Sequence, residues 1–413
     1  MSATLFKNIG SLVNVREKNT LLKGGDLARL PIINHGWLLV ENDRIVDYGT
    51  MSAMPQSLAA EKSIDLTGRM MLPAWCDSHT HLVFAASREE EFVDKIKGLS
   101  YADIAAKGGG ILNSAAKLKD ASELDLFDDA WMRLEQLRKM GTGAVEIKSG
   151  YGLSTEGELK MLRVIKKLKE KSPLLIKSTF LGAHTFPPQY KNDHQEYIRI
   201  IIEEMLPQIY REQLADYIDV FCEKDFFSPD ETIQICEAAH AYGLKAKLHA
   251  NQLHCSGGVQ AGVSIGALSV DHLESMDEEA IGSLSNSGTI GTLLPTAAFF
   301  LRMHYPPARK LIESGAALAL ASDFNPGSSP SGNMNLVLAM ACIQMKMLPE
   351  EAINAATVNG AYAMELEKEV GSIQRGKKAN LVITRPVPSI AYLPYSFGEN
   401  WIDRTMLNGA FFE

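Results

Sequence analysis

The chain has 413 residues, of which 46% are hydrophobic and 22% are charged, a composition typical of a folded globular protein. Its length fits one large domain plus a smaller one, and its net charge of −9 argues against nucleic acid or an anionic membrane as the main partner. Five scattered cysteines without a C-x-x-C pair do not form a disulfide framework. The start of the chain lacks the apolar run of a signal peptide, and no apolar run is long enough to cross a bilayer. We therefore expect a cytoplasmic protein.

Both ends of the chain have the pattern of short strands separated by turns. Near the start, residues 36–49 have the arrangement of a β-hairpin, with two apolar runs around a polar turn. Near the end, residues 379–383 form a strand-like run after a turn. We therefore predict a small β-sandwich domain that is built from residues 1–69 and 369–413.

Between these ends, short apolar runs alternate with amphipathic helical stretches, which indicates a parallel sheet with helices packed against it. About eight such units in residues 70–368 is the size of a TIM-type (β/α)8 barrel, in which catalytic groups lie at the carboxyl ends of the strands. A doubly wound open sheet is the competing fold, although no G-x-G-x-x-G follows the first strand and no P-loop is present. The predicted strands are 71–76, 143–147, 174–181, 217–222, 244–248, 268–271, 289–293 and 317–321. The clearest predicted helices are 128–140, 156–169, 194–209 and 229–241.

The strongest local signal for chemistry is Asp77-Ser78-His79-Thr80-His81, which directly follows an apolar run. Because residues i and i+2 of a strand share a face, the two imidazoles can reach one ion. Imidazole is a ligand that suits zinc and iron. Read alone, however, H-x-H is weak evidence, because two half-buried structural histidines would give the same pattern.

Further side chains that can bind a metal or transfer a proton also end predicted strands. In a parallel barrel the carboxyl ends of all strands meet on one face, so these groups approach each other despite large gaps in sequence. One divalent ion held there, with a position left open for water, is the arrangement of a catalytic metal site. Asp323 is then placed to take a proton from water and return it to a leaving nitrogen. The additional strand-end groups are His184, His249, His272 and Asp323. The predicted metal ligands are His79, His81, His249 and Asp323.

Several motifs carry a resemblance to a known family. Residues 72–81 (LPAWCDSHTH) resemble the first-strand signature of the amidohydrolase superfamily, and residues 371–382 (GSIQRGKKANLV) resemble the segment in which those chains return to their small β domain. Further stretches resemble one branch of that superfamily, the imidazolonepropionases of histidine degradation. The resemblance covers essentially the whole chain, and its last motif is specific to that branch. These stretches are 81–88 (HLVFAASR), 148–153 (KSGYGL), 182–190 (GAHTFPPQY), 249–252 (HANQ) and 323–330 (DFNPGSSP).

The resemblance implies hydrolysis of the ring amide of 4-imidazolone-5-propanoate, a small-molecule substrate, to N-formimidoyl-L-glutamate. It also implies zinc or iron as the single metal ion, and a homodimer. His272 would help to activate water or to polarise the carbonyl, which leaves His272 and Asp323 as alternatives for the main general base. The implied substrate contacts are Arg88, Tyr101 and Tyr151 at the carboxylate, His184 and Gln252 at the ring, and Asn325, Gly327 and Ser328 in the loop after Asp323.

The chain departs from the family pattern at three positions that are not proposed ligands. Ala74 stands where the superfamily usually has glycine, and Asn251 and Asn380 stand where aspartate is usual. These departures concern packing and supporting hydrogen bonds rather than the reaction. Arg88 also has an ordinary alternative, because the charged run 88–91 has the composition of a solvated helix start.

Other functions compete with this interpretation. A purine or pyrimidine aminohydrolase generally places glutamate three residues after the histidine of the fifth strand, where this chain has Gln252, which cannot transfer a proton at neutral pH. A two-metal cyclic amidase would need a modified bridging lysine; Lys148 is the candidate, although our strand count places it on the wrong strand. A non-enzymatic metal-binding scaffold would need a blocked coordination position, and an assay with imidazolonepropanoate separates it from an enzyme.

Overall fold

The computed structural model of the chain describes residues 3–58, 60–99 and 109–412. Its strands form two sheets, one of mixed direction and one entirely parallel. In chain order the strands are β1 (Ala3–Val13), β2 (Ile32–Glu41), β3 (Arg44–Thr50), β4 (Lys62–Asp65), β5 (Met70–Pro73), β6 (Trp75–Thr80), β7 (Thr142–Lys148), β8 (Leu175–Ala183), β9 (Tyr217–Cys222), β10 (Lys245–Ala250), β11 (Ser269–His272), β12 (Ile290–Leu293), β13 (Ala317–Leu320), β14 (Leu381–Thr384), β15 (Ile402–Leu407) and β16 (Ala410–Phe411).

The mixed sheet joins the two ends of the chain. Its strand order is β16-β15-β14-β5-β1-β2-β3, and β4 also pairs with β1. The ends meet where β5 runs antiparallel to β14, with Leu72 opposite Val382. The predicted hairpin is present as β2 and β3, and Asn42 in its turn has a φ of 53°, a left-handed conformation that asparagine tolerates better than most residues. The prediction of a small β domain that draws on both termini is therefore confirmed.

The parallel sheet is a closed barrel. Among the described residues it contains eight strands in sequential order from β6 to β13. The first and last strands are joined beyond the end of β13, where the Asp323 N–H donates to the His79 carbonyl (3.0 Å) and the His81 N–H donates to the Phe324 carbonyl (2.9 Å). A doubly wound sheet would remain open at its edges, so the predicted TIM-type barrel is confirmed and the competing fold is wrong.

Helices connect successive barrel strands and cover the outside of the barrel. Hydroxyl caps explain where several begin: Ser122 Oγ accepts the Asp125 N–H, and Ser154 Oγ accepts the Gly157 N–H, each at 3.1 Å. The α-helices are Glu89–Ile96, Ile111–Asp120, Glu123–Lys139, Thr155–Lys171, His194–Ile200, Leu206–Glu212, Pro229–His240, Gly258–Ser264, Glu278–Ser285, Pro295–Leu301, Ala308–Glu313, Met334–Ile343, Pro349–Asn354, Gly360–Tyr362 and Tyr392–Tyr395. Short 3-10 helices are Gly24–Ala28, Met51–Ala53 and Pro188–Tyr190, and π-helical turns are Ile201–Met205 and Ala355–Asn359.

The predicted strand 71–76 is two strands rather than one. The Ala74 N–H donates to the Asn380 carbonyl in the mixed sheet, while the next amide, that of Trp75, donates to the Gly141 carbonyl beside the barrel (both 2.9 Å). Consecutive amides therefore bind different sheets, and β5 ends where β6 begins. The domain limits at residues 70 and 369 stay predictions.

Within the described parts of the chain, no helix has both the length and the apolar character that a bilayer crossing requires.

Candidate active site

Four predicted metal ligands converge at the carboxyl end of the barrel. His79 lies on β6 and His81 follows it, His249 lies on β10, and Asp323 follows β13, so the closure of the sheet brings them together. The Nε2 atoms of His81 and His249 are 3.3 Å apart. Asp323 Oδ1 lies 3.5 Å from His79 Nε2 and 3.6 Å from His81 Nε2. All four side chains are buried.

The three histidines of this cluster present nitrogen atoms that are suited to bind a cation. His79 Nδ1 is 2.7 Å from Asp271 Oδ2, and His249 Nδ1 is 3.1 Å from Asp219 Oδ1, which places the ring proton of each on Nδ1 and the lone pair on Nε2. Among the described residues, the buried His79 Nε2 has no hydrogen-bond partner. Burial, together with nearby positive charge, lowers the pKa of both histidines and of His81 well below the usual range. Neutral imidazoles with converging lone pairs, plus one carboxylate, match the ligands of zinc or ferrous iron.

His272 and Asp323 are the groups at this site that can exchange a proton near neutral pH. Burial raises the pKa of Asp323 to about 7, and a bound cation would lower it again. Burial alone would lower the pKa of His272, but the Glu274 carboxylate, with smaller contributions from Asp323 and Asp271, raises it overall. Glu274 Oε1 lies 3.5 Å from His272 Nδ1, which is longer than an ordinary hydrogen bond.

Four residues around the same site have left-handed backbone conformations. Asn251, His272, Leu273 and Asp323 have φ values of 53°, 86°, 68° and 51°. Each costs on the order of 1–3 kcal/mol for a residue with a side chain, and such strain is typical of functional sites. Asparagine, aspartate and histidine adopt this region more readily than other residues with a side chain. The strain at Leu273 is therefore maintained by the surrounding fold.

A cavity of about 550 Å³ opens above the metal-ligand cluster. It contains every predicted substrate-binding residue that the structure describes; the remaining one, Tyr101, lies outside the described residues. The predicted site residues that line the cavity are His81, Arg88, Tyr151, His184, His249, Gln252, His272, Asp323, Asn325, Gly327 and Ser328.

Arg88 points into this cavity and is not part of a solvated helix start. Its side chain is 10% exposed, and its Nε and Nη2 atoms donate to Glu91 Oε2 at 3.0 and 2.6 Å. Glu91 also accepts the N–H of Gly110 at 3.1 Å, so the carboxylate is held from two sides. The guanidinium lies directly against Gly327, where a Cβ atom would be 2.1 Å from Arg88 Nη1. The solvated alternative for Arg88 is therefore wrong.

Tyr151 and His184 form a neutral polar wall beside the metal ligands. Tyr151 is buried, and burial raises the pKa of its hydroxyl, so the group stays protonated. His184 Nδ1 donates to the Gly150 carbonyl at 2.9 Å, which leaves the lone pair on Nε2. Burial lowers the pKa of His184 to about 4, so its ring is neutral at physiological pH. Its ring stacks on that of His81, with centroids 5.3 Å apart.

The loop after Asp323 is shaped by Asn325. Asn325 Oδ1 accepts the N–H groups of Gly327 and Ser328, both at 2.8 Å, and its Nδ2 donates to Ser328 Oγ and to the Asp323 carbonyl, both at 2.7 Å. Ser328 Oγ in turn lies 3.3 Å from Asp323 Oδ2. Both polar atoms of the Asn325 side chain are thus hydrogen-bonded within the loop. The predicted contacts of this loop with substrate stay predictions.

The three departures from the family pattern have local physical reasons. Ala74 faces Gly143, where a Cβ atom would be 2.6 Å from the Ala74 methyl group, so a small residue opposite leaves room for it. Asn251 Nδ2 donates to the Ser275 carbonyl at 2.9 Å, which an aspartate could not do. Asn380 Nδ2 donates to the Gly143 carbonyl at 3.3 Å, which an aspartate could not do either.

The structure adds site residues that sequence reasoning missed. Lys95 lines the cavity and its Nζ is 3.3 Å from the Gly327 carbonyl. It lies seven residues after Arg88, two turns along the same helical face, and that spacing is the signal that could have identified it. Asp219 and Asp271, which hold the ligand histidines, are each the single carboxylate of their strand, and this was visible in the sequence.

Comparisons with known proteins agree with this geometry. The model of the amidohydrolase family matches residues 70–411. The imidazolonepropionase of Christiangramia forsetii is 55% identical over 98% of this chain and 98% of its own length, and that of Alkaliphilus metalliredigens is 38% identical over 99% and 97%. Two solved structures share the fold: an adenosine deaminase from Xanthomonas campestris with bound zinc (TM-score 0.73, 16% identity, 99% of this chain and 92% of that one) and E. coli guanine deaminase (0.73, 14%, 100% and 99%). The chain therefore belongs to the amidohydrolase family, in the branch formed by the imidazolonepropionases.

Proposed function

We propose that the chain is a metal-dependent hydrolase that opens the ring of 4-imidazolone-5-propanoate to give N-formimidoyl-L-glutamate. The observation that carries the proposal is that one cavity joins the buried histidine and aspartate cluster to the guanidinium of Arg88. An anion-binding group and a site suited to hydrolysis therefore line the same cavity. Relatives with this activity in their names, 52–55% identical over 98% of the chain, support the same substrate.

We propose one divalent ion, zinc or iron, with His79, His81, His249 and Asp323 as its ligands. When bound, such an ion supplies Lewis-acid chemistry, in that it polarises a carbonyl oxygen and acidifies water. The protein itself supplies neutral imidazoles in a fixed orientation, because carboxylates hold the other nitrogens of His79 and His249.

Proton transfer in this proposal belongs to Asp323, with His272 as the alternative base. Water adds to the ring carbonyl carbon, the bond from that carbon to the adjacent ring nitrogen breaks, and the nitrogen receives the proton that water lost. Asp323 suits this exchange because its carboxylate lies beside the ligand nitrogens of His79 and His81, next to the position where acidified water would be held. We propose that His272, whose ring centroid is 5.3 Å from that of His249, donates a hydrogen bond to the carbonyl oxygen as negative charge develops there.

Substrate binding is divided between the two ends of the cavity. Arg88 offers a planar pair of N–H donors to the propanoate carboxylate, and the neutral hydroxyl of Tyr151 adds a further donor. Tyr101 belongs to the same proposed set. The ring contacts are proposed for His184 and Gln252, and the contacts of the loop after Asp323 are proposed for Asn325, Gly327 and Ser328.

Deamination of a purine is the competing function, because two deaminases share the fold. The likeness to the two deaminases concerns the fold alone, because their identity to this chain is 14–16%. Gln252 lines the cavity at the position where an aminohydrolase needs a proton-transferring glutamate. An amide cannot take that role, which favours ring hydrolysis.

The proposed function is tested by turnover of freshly generated imidazolonepropanoate beside an imidazolone that lacks the propanoate arm, with adenosine and guanine as further substrates. We expect turnover of the first compound, a strongly reduced kcat/KM for the second and no ammonia from the purines. Equal kcat/KM for the two imidazolones, or purine deamination, would contradict the proposal.

We also propose a cytoplasmic homodimer on the family resemblance alone, and light scattering of the purified protein tests the assembly.

A further inference from the structure

Beneath the proposed metal ligands, the barrel interior holds a layer of five charged side chains. Glu146 and Lys148 lie on β7, Asp219 on β9, Lys247 on β10 and Asp271 on β11, and all five are fully buried. Three carboxylates and two ammonium groups leave this layer with one net negative charge. Buried charges are costly unless they are paired, so the pairing within the layer determines what it can do.

Lys148 stands between the two carboxylates that hold metal-ligand histidines. Its Nζ is 2.7 Å from Asp219 Oδ2 and 3.6 Å from Asp271 Oδ2. Asp271 Oδ2 lies 2.7 Å from His79 Nδ1, and Asp219 Oδ1 lies 3.1 Å from His249 Nδ1. One ammonium group therefore links two carboxylates, each of which orients a different imidazole.

We propose that Lys148 is a positioning residue of the metal site, which fixes Asp219 and Asp271 and through them the imidazoles of His249 and His79. The inference rests on the proposed metal site. Without a cation between them, the two aspartates would repel each other in a buried environment, and each would turn away from its histidine. A displaced carboxylate no longer holds Nδ1, so the imidazole loses its orientation.

The charge state of Lys148 supports a bridging ammonium rather than a modified lysine that ligates a second metal. Burial by itself would lower the pKa of Lys148, but Asp219, Glu146 and Asp271 together raise it above its usual value. Its Nζ also donates to Glu146 Oε1 at 2.6 Å, so two short ion pairs already engage the group. A carbamate on this nitrogen would remove the positive charge and set a fourth negative group among the three carboxylates. The geometry thus favours one metal ion.

Lys247 is a matched control within the same layer. It is also a fully buried lysine and also pairs with Glu146, but its other hydrogen bonds go to the carbonyls of Ser78 (3.0 Å) and Ala363 (3.3 Å), and its Nζ lies 5.6 Å from the centre of the Tyr217 ring. Lys247 is the register partner of Asp219 on the neighbouring strand, but among the described residues its ammonium group makes no hydrogen bond or ion pair with either histidine-holding aspartate. Substitution of either lysine unbalances the layer by one charge, whereas only Lys148 links the two aspartates.

The test compares the zinc affinity of wild-type full-length protein, Lys148→Met and Lys247→Met by competition with a chromophoric chelator. We expect zinc affinity to fall about 10- to 100-fold in Lys148→Met, as for other losses of support behind a metal ligand, and to change less than about threefold in Lys247→Met. The cobalt(II)-loaded proteins add a spectroscopic measurement, because a change in the visible absorption bands is expected for Lys148→Met only. Thermal unfolding of all three proteins reports the destabilisation that the two variants share.

Unchanged zinc affinity in Lys148→Met, or an equal loss in both variants, would overturn the positioning role. If Lys148→Met does not fold, Lys148→Gln, which keeps a neutral donor, is measured with the same expected loss and the same overturning results. A wild-type protein that binds no metal would instead contradict the proposed metal site, so the two failures are distinguishable.

Discussion

The contact between Gly327 and Arg88 gives a sharp test of the substrate-binding end of the cavity. A methyl group at position 327 would lie 2.1 Å from Arg88 Nη1 and 2.6 Å from Arg88 Cζ, well inside van der Waals contact. The φ of Gly327 lies outside the left-handed region, so Gly327→Ala tests space rather than backbone strain. The obstructing atoms are the end of a flexible side chain, and we therefore expect the variant to fold while the guanidinium is displaced.

The expected magnitude follows from the hydrogen bonds that a displaced guanidinium cannot make. A hydrogen bond to a charged group contributes about 1.5–3 kcal/mol, which corresponds to about a 10- to 150-fold loss in kcat/KM for imidazolonepropanoate. An imidazolone without the propanoate arm makes no such bonds, so its kcat/KM should change little. Gly288→Ala is the control, because no described atom lies within 4 Å of a Cβ at that position.

A double-mutant cycle separates this steric effect from a general disturbance of the loop. In an Arg88→Ala background the methyl group of Gly327→Ala has room. The double variant should therefore have nearly the same kcat/KM for imidazolonepropanoate as Arg88→Ala alone. Steady-state kinetics of the two single variants and the double variant provide the assay. Additive losses in the cycle, or an equal loss with the armless imidazolone, would refute the assignment of Arg88 to the carboxylate.

Three further variants test other parts of the site. Asp323→Asn should retain the fold by thermal unfolding but reduce kcat by at least about 100-fold, as loss of a general base does; near-normal turnover would remove Asp323 as the proton carrier. Tyr151→Phe should raise KM for imidazolonepropanoate about tenfold because one hydroxyl donor to the carboxylate is lost, and an unchanged KM would show that the hydroxyl does not contact it. Asn251→Ala should lower the free energy of unfolding in urea by about 2 kcal/mol, because it loses the bond to the Ser275 carbonyl and leaves alanine in a left-handed conformation. Unchanged stability would show that this bond is not needed.

Much of the fold could be predicted because the barrel strands are short apolar runs between amphipathic helices. The site was predictable for a related reason: His249 and His272 end their runs, and a parallel barrel gathers such ends on one face. The division at Ala74 could not be predicted, since it depends on the carbonyls of Asn380 and Gly141, which are distant in sequence.

The proposed role of Lys148 could not be predicted from the sequence either, for a different reason. Its position on β7 determines its face of the strand but not which carboxylates lie opposite, because these come from β9 and β11. The burial of Arg88 depends likewise on Gly327, more than two hundred residues along the chain. Pairings of this kind are fixed by the closed sheet and have no local signature.

Stepwise metal loading of the metal-free protein, with turnover of imidazolonepropanoate measured at each step, determines how many metal ions the reaction requires. We expect negligible turnover without metal and a linear rise on addition of zinc or ferrous iron that ends at one equivalent per chain. Full turnover of the metal-free protein, or a rise that continues to two equivalents, would contradict a single-metal hydrolase.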